Sequence, residues 1–363
     1  MARRKSKSRS NEPIRVGLVG IGRAGWGMHT GELAPREDKF RIVAACDVEK
    51  SRCDRMAERY DCATYGSIED LVKDPDVELV DIASRSPEHV EHAITALAAG
   101  KVVFLEKPIA LDIDGAKRLR TAVRRRKADD RIFFRHNRRF EPAFQHIREI
   151  IDSGVLGDVY QIKLRRHNYQ RRADWQTRID CGGGQLLNWG PHIIDHALRF
   201  LDSPVADQWT DLQLVAALGD AEDHVHVNLR GENGRVVELE ISGGVAIPEP
   251  TYLVYGSRGA LTSDEQTIRL RYLDPKQKLK PGRAEKASPP MEGGFGNPEP
   301  LKWIEKEIPV APKKQVEMTM IWDHLYDAVR KGKPFPITFD EAYGVIEVIS
   351  RAKAQAGFTT PGR

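Results

Sequence analysis

The stretch Ile14–Gly25, IRVGLVGIGRAG, decides how the first part of this chain is read. An apolar, β-rich run passes straight into Gly20, Gly22 and Gly25 at G-x-G-x-x-G spacing, and a helical pattern follows. Each glycine answers a separate steric demand. The first allows a tight turn, the second lets backbone approach a pyrophosphate, and the third lets helix pack on strand. The new helix then turns its N-terminal N–H groups toward the phosphates. This places Gly20, Ile21, Gly22, Arg23, Ala24 and Gly25 in a dinucleotide cradle. The next apolar run, FRIVAACD, ends on Asp47, 22 residues past Gly25, where a carboxylate would accept from the ribose diol and repel a 2′-phosphate. NAD is the expected cofactor. Arg52, about one helical turn on, keeps NADP open because a guanidinium there could meet a phosphate.

Outward from the cradle the alternation continues. Val77–Ala83 reads as a buried strand, His89–Ala99 as a helix, Val102–Glu106 as a strand, a helix starts near Asp112, and RIFFRH closes the unit at His136. Strands separated by helices imply a doubly wound parallel sheet of Rossmann type over residues 13–136. Ser84, Ser86, Glu106 and Lys107 fall at the carboxyl ends of its strands, where ligands of such folds bind, and join the cofactor-site candidates.

Beyond His136 the pattern changes to a helix, a strand over Asp158–Arg166, a second helix, and consecutive alternating runs HVHVNLR, RVVELEIS and TYLVYGS. Residues 137–363 therefore read as an α+β domain with a largely antiparallel open sheet, one face of it free to pair with another subunit. The stretch Asp274–Pro312 lacks periodicity and reads as an excursion over the cleft or an arm onto a neighbour. A final helix is expected around Asp340–Ala356.

With 363 residues, 40% apolar and 30% charged, and no apolar run long enough for a bilayer, the chain reads as a two-domain globular protein without a membrane span. Residues 1–12 read as a disordered basic tail with no apolar core to make it an export signal. Five of its side chains, Arg3, Arg4, Lys5, Lys7 and Arg9, outweigh the net charge of +4, so the body has no basic excess for nucleic acid. Four scattered cysteines without a C-x-x-C pair fit a reducing cytoplasm.

Two further segments carry chemistry: LEKP, with Glu106, Lys107 and Pro108 after the fifth strand, and CGGGQLLNWGPHIIDHALRF over Cys181–Phe200. With the glycine loop and the HNRRF segment His136–Phe140, they resemble the glucose–fructose oxidoreductase / inositol dehydrogenase / MocA family from about Ile14 to Gly357. The resemblance implies hydride chemistry on sugars, polyols or related hydroxyl compounds, and a homodimer or homotetramer. It also implies that Lys107 lies beside the reacting hydroxyl, at a Lys–Pro bond that in the family is often cis. His192 and Asp195 match the family pattern, while Asn188 stands where an acid is usual.

From the residues themselves, Asn188, His192 and His196 recur at four-residue spacing on one helix face. Lys107, His192 and Asn188 are the catalytic candidates, with His192 as proton carrier and Asn188 orienting it. Arg138, Tyr169, Arg172 and Trp175, with Asn188 and His192, are the substrate-binding candidates, since the loop Arg166–Arg178 is rich in hydroxyl-binding groups and flat rings. A metal on His192 and His196 has no third ligand at a convincing spacing, so none is expected. Asp195 and Arg199, four apart, read as a structural pair. Two other functions stay open: transient oxidation by tightly held NAD in glycoside cleavage or epimerisation, and a non-catalytic nucleotide sensor.

Overall fold

The protein is described by a computed structural model covering residues 12–279, 281, 286 and 299–360. Both the expected basic tail, up to residue 11, and much of the 274–312 stretch lie outside the described residues.

Six strands, β1 (Ile14–Val19), β2 (Phe40–Cys46), β3 (Ala63–Tyr65), β4 (Leu79–Ile82), β5 (Val102–Leu105) and β6 (Ile132–Phe134), form a fully parallel sheet in the order β3-β2-β1-β4-β5-β6. This is the doubly wound order whose switch point lies between β1 and β4, above the carboxyl ends of the strands. β1 and β4 are almost wholly buried, as strands covered by helices on both faces must be. Asp112 caps the helix Ile113–Arg126 by accepting from the N–H of Gly115 at 2.8 Å.

The second sheet has eight strands: β7 (Val159–His167), β8 (Val205–Gln213), β9 (His224–Gly231), β10 (Val236–Ser242), β11 (Tyr252–Gly256), β12 (Gly259–Ser263), β13 (Thr267–Leu273) and β14 (Trp303–Pro309). Their order is β14-β13-β12-β11-β7-β10-β9-β8, and every pairing is antiparallel except β7 with β10. Val225, Val227, Leu229, Val237, Leu239 and Ile241 are buried on one face, which receives the helices Gly190–Leu201 and Phe339–Ala356. The other face carries exposed rings such as Tyr160 and Trp209. Within 274–312, expected as an excursion or an arm, the last part forms β14, an edge strand on β13 whose apolar signal is weak because only Ile304 and Ile308 are partly buried.

After the second sheet the chain returns to the first. Trp322, on the helix Ile321–Lys331, is fully buried edge-on against Phe40 and Phe104, and Arg330 pairs with Glu78. The capping box at Thr338 and Glu341 starts the last helix, and Glu341 also receives Arg139 and Arg199. Both sheets are thereby locked around one cleft.

Candidate active site

The glycine loop has the shape a dinucleotide needs. Gly20 sits at φ +90°, and a Cβ there would lie 2.5 Å from the backbone of Ser84. A Cβ on Gly25 would meet the carbonyl oxygen of Gly20 at 2.1 Å, whereas around Gly22 nothing lies within 4 Å. The first and third glycines thus close strand, turn and helix together, and the second leaves room for a pyrophosphate. Asp47 terminates β2 beside this loop. Its Oδ2 accepts from the N–H of Ile21 at 2.7 Å and its Oδ1 from the N–H of Glu49 at 2.9 Å, while Arg52 Nη1 stands 3.3 Å from Oδ2. Arg23 is exposed and its charge acts on Lys107, and Ala24 is half-buried. Ser84 holds His92 Nδ1 at 2.9 Å, and Ser86 opens the short helical turn Ser86–Glu88.

Under the reacting edge lies a buried charge network. The imidazole of His29, fully buried, bridges Asp81 (Nδ1 to Oδ2, 2.7 Å) and Glu106 (Nε2 to Oε1, 2.9 Å). Arg135 Nη1 donates to Glu106 Oε1 at 2.6 Å, and its Nη2 donates to both Glu32 oxygens at 2.7 Å. Trp322 Nε1 donates to Glu32 Oε2 at 2.6 Å. Burial works against the charge on His29, but Asp81 and Glu106 outweigh it and carry the pKa up to about 9. Burial likewise opposes the Glu106 carboxylate, yet Arg135 and His29 hold it well below the usual range. Glu106 Oε2 accepts from the N–H of Lys107 at 3.0 Å, so the network fixes the backbone from which Lys107 projects. The Lys107–Pro108 bond is cis.

Lys107 then reaches across the cleft. Its Nζ donates to the backbone carbonyl of Asn188 at 3.0 Å. Burial lowers its pKa, against the pull of Glu106. The segment expected as one helix is two: Gln185–Asn188, then Gly190–Leu201. Pro191 has no N–H for the carbonyl four residues back, which interrupts the ladder at Trp189. The Asn188 side chain turns to Gln176, whose Nε2 donates to Oδ1 at 3.3 Å. His192, buried, has an Nδ1 with no partner; burial first, then Lys107 and Arg138, push its pKa well below the ordinary value. It stands neutral and able to take a proton.

His196 points elsewhere. Its Nε2 meets the carbonyl of Arg138 at 2.8 Å and its ring stacks on Phe144 at 4.0 Å. Among the described residues no group of three or more His, Cys, Asp or Glu is arranged to hold a metal. The expected Asp195–Arg199 pair does not form: Asp195 accepts two bonds from Arg139, at 2.6 and 2.7 Å, and Arg199 pairs with Glu341. A buried guanidinium from a neighbouring element offers a two-pronged match that a half-exposed i,i+4 neighbour cannot.

The loop candidates separate. Arg172 is held by Asp174 and Gln176, Trp175 lies under Arg85 with 5.5 Å between guanidinium and ring centre, and Tyr169 is 62% exposed, its backbone bridged to Gly244. Trp175 therefore ties this loop to the strand end bearing Ser84 and Ser86, while Tyr169 looks to solvent. Sequence reading missed His136. Leu105 pairs with Phe134, so Lys107 and His136 each stand two residues beyond paired strand ends; His136 is 2% exposed, with neither ring nitrogen partnered. It also missed Trp189 and Arg166, taken up below. For His136 the signal was its place at the end of β6, in line with Lys107 at the end of β5.

Against this geometry the comparisons are specific. Residues 14–130 match the oxidoreductase family with an NAD-binding Rossmann fold, and residues 144–262 match the GFO/IDH/MocA C-terminal domain. The chain belongs to the Gfo/Idh/MocA family of oxidoreductases. It is similar to scyllo-inositol 2-dehydrogenase (NADP(+)) of Bacillus subtilis, 26% identical, covering 95% of this chain and 94% of that one. It is also similar to inositol 2-dehydrogenase of Rhizobium meliloti, 30% identical, covering 70% of this chain and 76% of the relative. An NAD-binding protein from Listeria innocua shares the fold at TM-score 0.78 and 23% identity, over 95% of both chains. This Gfo/Idh/MocA chain is a nicotinamide-binding oxidoreductase with a Rossmann sheet and a mostly antiparallel second sheet. No helix among the described residues is long and apolar enough to cross a membrane.

Proposed function

We propose that this Gfo/Idh/MocA chain moves hydride between NAD and a hydroxyl-bearing carbon of a sugar, polyol or related compound, in the cleft between Lys107 and His192. One observation carries the reading: Lys107 Nζ bridges to the Asn188 carbonyl, just ahead of the helix that bears a neutral His192 whose Nδ1 has no partner. An ammonium and a proton-accepting imidazole thus share one water-poor corner at the carboxyl edge of the parallel sheet.

NAD, held by Gly20–Gly25 and Asp47, would supply the hydride acceptor. The chain's own residues do the rest. His192 takes the hydroxyl proton, and its depressed pKa keeps it available at neutral pH. Lys107 stabilises negative charge developing on the oxygen, held on target by Glu106 below and the Asn188 carbonyl across the cleft. Arg138, Arg172 and Trp175 contact the substrate body. Self-association uses the exposed face of the second sheet, around Tyr160 and Trp209.

The test is identification of co-purified ligand by mass spectrometry, followed by a sugar and polyol screen at the reduced-nicotinamide absorbance band. NAD reduction that disappears in both Lys107→Met and His192→Asn supports the reading. Reduction that survives both substitutions refutes it.

A further inference from the structure

Trp189 stands between Asn188 and the helix bearing His192, and two guanidinium groups stack on it. The Arg138 carbon lies 4.4 Å from the ring centre and the Arg166 carbon 4.2 Å. Arg138 comes from the turn after β6 and Arg166 from β7, so two distant segments deliver the pair to the residue beside the reacting edge.

The other buried arginines show what a structural guanidinium looks like in this chain. Arg139 gives two bonds to Asp195 and two more, to Glu341 and the Pro336 carbonyl. Arg135 serves Glu32 twice and Glu106 once. Arg138 and Arg166 differ. Each spends one nitrogen on a carboxylate, Arg138 Nη1 on Glu141 and Arg166 Nη1 on Glu265 at 2.7 Å. Their remaining N–H groups have no protein acceptor among the described residues. The side chains are 20% and 27% exposed, partly open to solvent yet largely stripped of bulk water. Lys107 adds a third positive charge with one hydrogen bond of its own. Burial first, then Arg166, bring Arg138 down to about 10 against the pull of Glu265.

Glu141 and Glu265 each answer one edge of this pair, but the N–H groups left over still need acceptors, and buried donors left without one are costly. A carboxylate answers with two coplanar acceptor oxygens, the match a guanidinium edge is shaped for. We propose that the hydroxyl substrate of this site carries a carboxylate, received by the free edges of Arg138 and Arg166 beside Trp189, so that sugar acids and related hydroxy acids are its substrate class. The proposal rests on the hydroxyl-oxidising reading of Lys107 and His192.

The experiment pairs each acid with a neutral counterpart on the NAD-loaded full chain: glucuronate with glucuronamide, gluconate with gluconamide, and both with glucose and myo-inositol. Calorimetric titration reads binding, and the reduced-nicotinamide band reads hydride transfer separately. At least one acid is expected to bind roughly tenfold or more tightly than its amide, because hydrogen bonds to charged groups are the stronger ones. That preference shrinks with added salt and collapses in Arg166→Gln and Arg138→Gln, while Arg166→Lys retains part of it. Folding of the variants is checked by circular dichroism, and the acid–amide comparison on the parent needs no variant. Equal affinity of acid and amide in every pair overturns the carboxylate site, as does a preference that survives both glutamine variants. Turnover of glucose or myo-inositol at equal or higher kcat/KM than the acids also overturns it, leaving the dehydrogenase reading intact. Tight acid binding with no hydride transfer to any compound upholds the anion site and refutes the dehydrogenase reading.

Discussion

Replacing His29 with Gln tests whether the buried network under Lys107 works as an ionic lock. The wild-type imidazole is fully buried between Asp81 and Glu106, and its pKa rises from 6.5 to about 9. A proton held more tightly in the folded than in the unfolded chain stabilises the fold. That stability is fully present below pH 6.5 and is lost as pH rises through about 9. At about 1.4 kcal/mol per tenfold change in proton affinity, the contribution is about 3 kcal/mol. The glutamine amide cannot titrate, so His29→Gln should lie below the parent by a gap that is widest near pH 6 and narrows by about 3 kcal/mol toward pH 9. The assay is urea unfolding followed by tryptophan fluorescence at intervals across that range. Groups remote from His29 titrate alike in both proteins and cancel in the difference, and Glu106, which His29 helps to hold low, keeps Arg135 as its partner in the variant. Parallel stability curves for parent and variant would refute an imidazolium at this position. A second readout follows from Glu106 Oε2, which holds the Lys107 N–H: turnover should fall in the variant more than NAD affinity does.

Three further outcomes follow from the site. Asp47→Ser should shift relative affinity toward NADP by roughly tenfold or more, measured by titration of both cofactors, because a charge-assisted acceptor is lost and Arg52, now bonded to Asp47, is released. Lys107→Met should keep the fold and NAD binding while kcat on an identified substrate drops by roughly 10²–10³-fold, as expected for removal of an oxyanion-stabilising donor. Asn188→Asp places a negative charge near His192, whose pKa now sits well below the ordinary value, so in pH–rate profiles the limb on which oxidation rises with pH should move to higher pH; superimposable profiles would uncouple the two residues.

What the sequence revealed follows from how local each signal is. Gly20, Gly22, Gly25 and Asp47 were legible because their demands are met within one strand–turn–helix–strand unit, where spacing along the chain nearly fixes spacing in space. The parallel sheet and most strand positions followed from alternation, whereas the strand order did not. The partner of Asp195 was not legible: Arg199 is four residues away and Arg139 is 56, and only the docked fold decides between them. The same holds for the lock beneath Lys107, assembled from residues 29, 32, 81, 106, 135 and 322, and for Arg166, whose role appears only when β7 brings it to Trp189.

Asn188 is the instructive case. Four-residue periodicity set it on the face of His192, where an amide in place of an acid would weaken the pair. Pro191 breaks the ladder between them, and the Asn188 side chain turns to Gln176. Its contribution to Lys107 is made by the backbone carbonyl, which any residue at this position would supply. The substitution of amide for acid therefore leaves the anchor of Lys107 untouched. It also leaves the residue beside Lys107 without a negative charge of its own, so nothing on Asn188 opposes an anion there. The departure from the family pattern and the two under-used arginines thus point the same way, toward a substrate that brings its own negative charge.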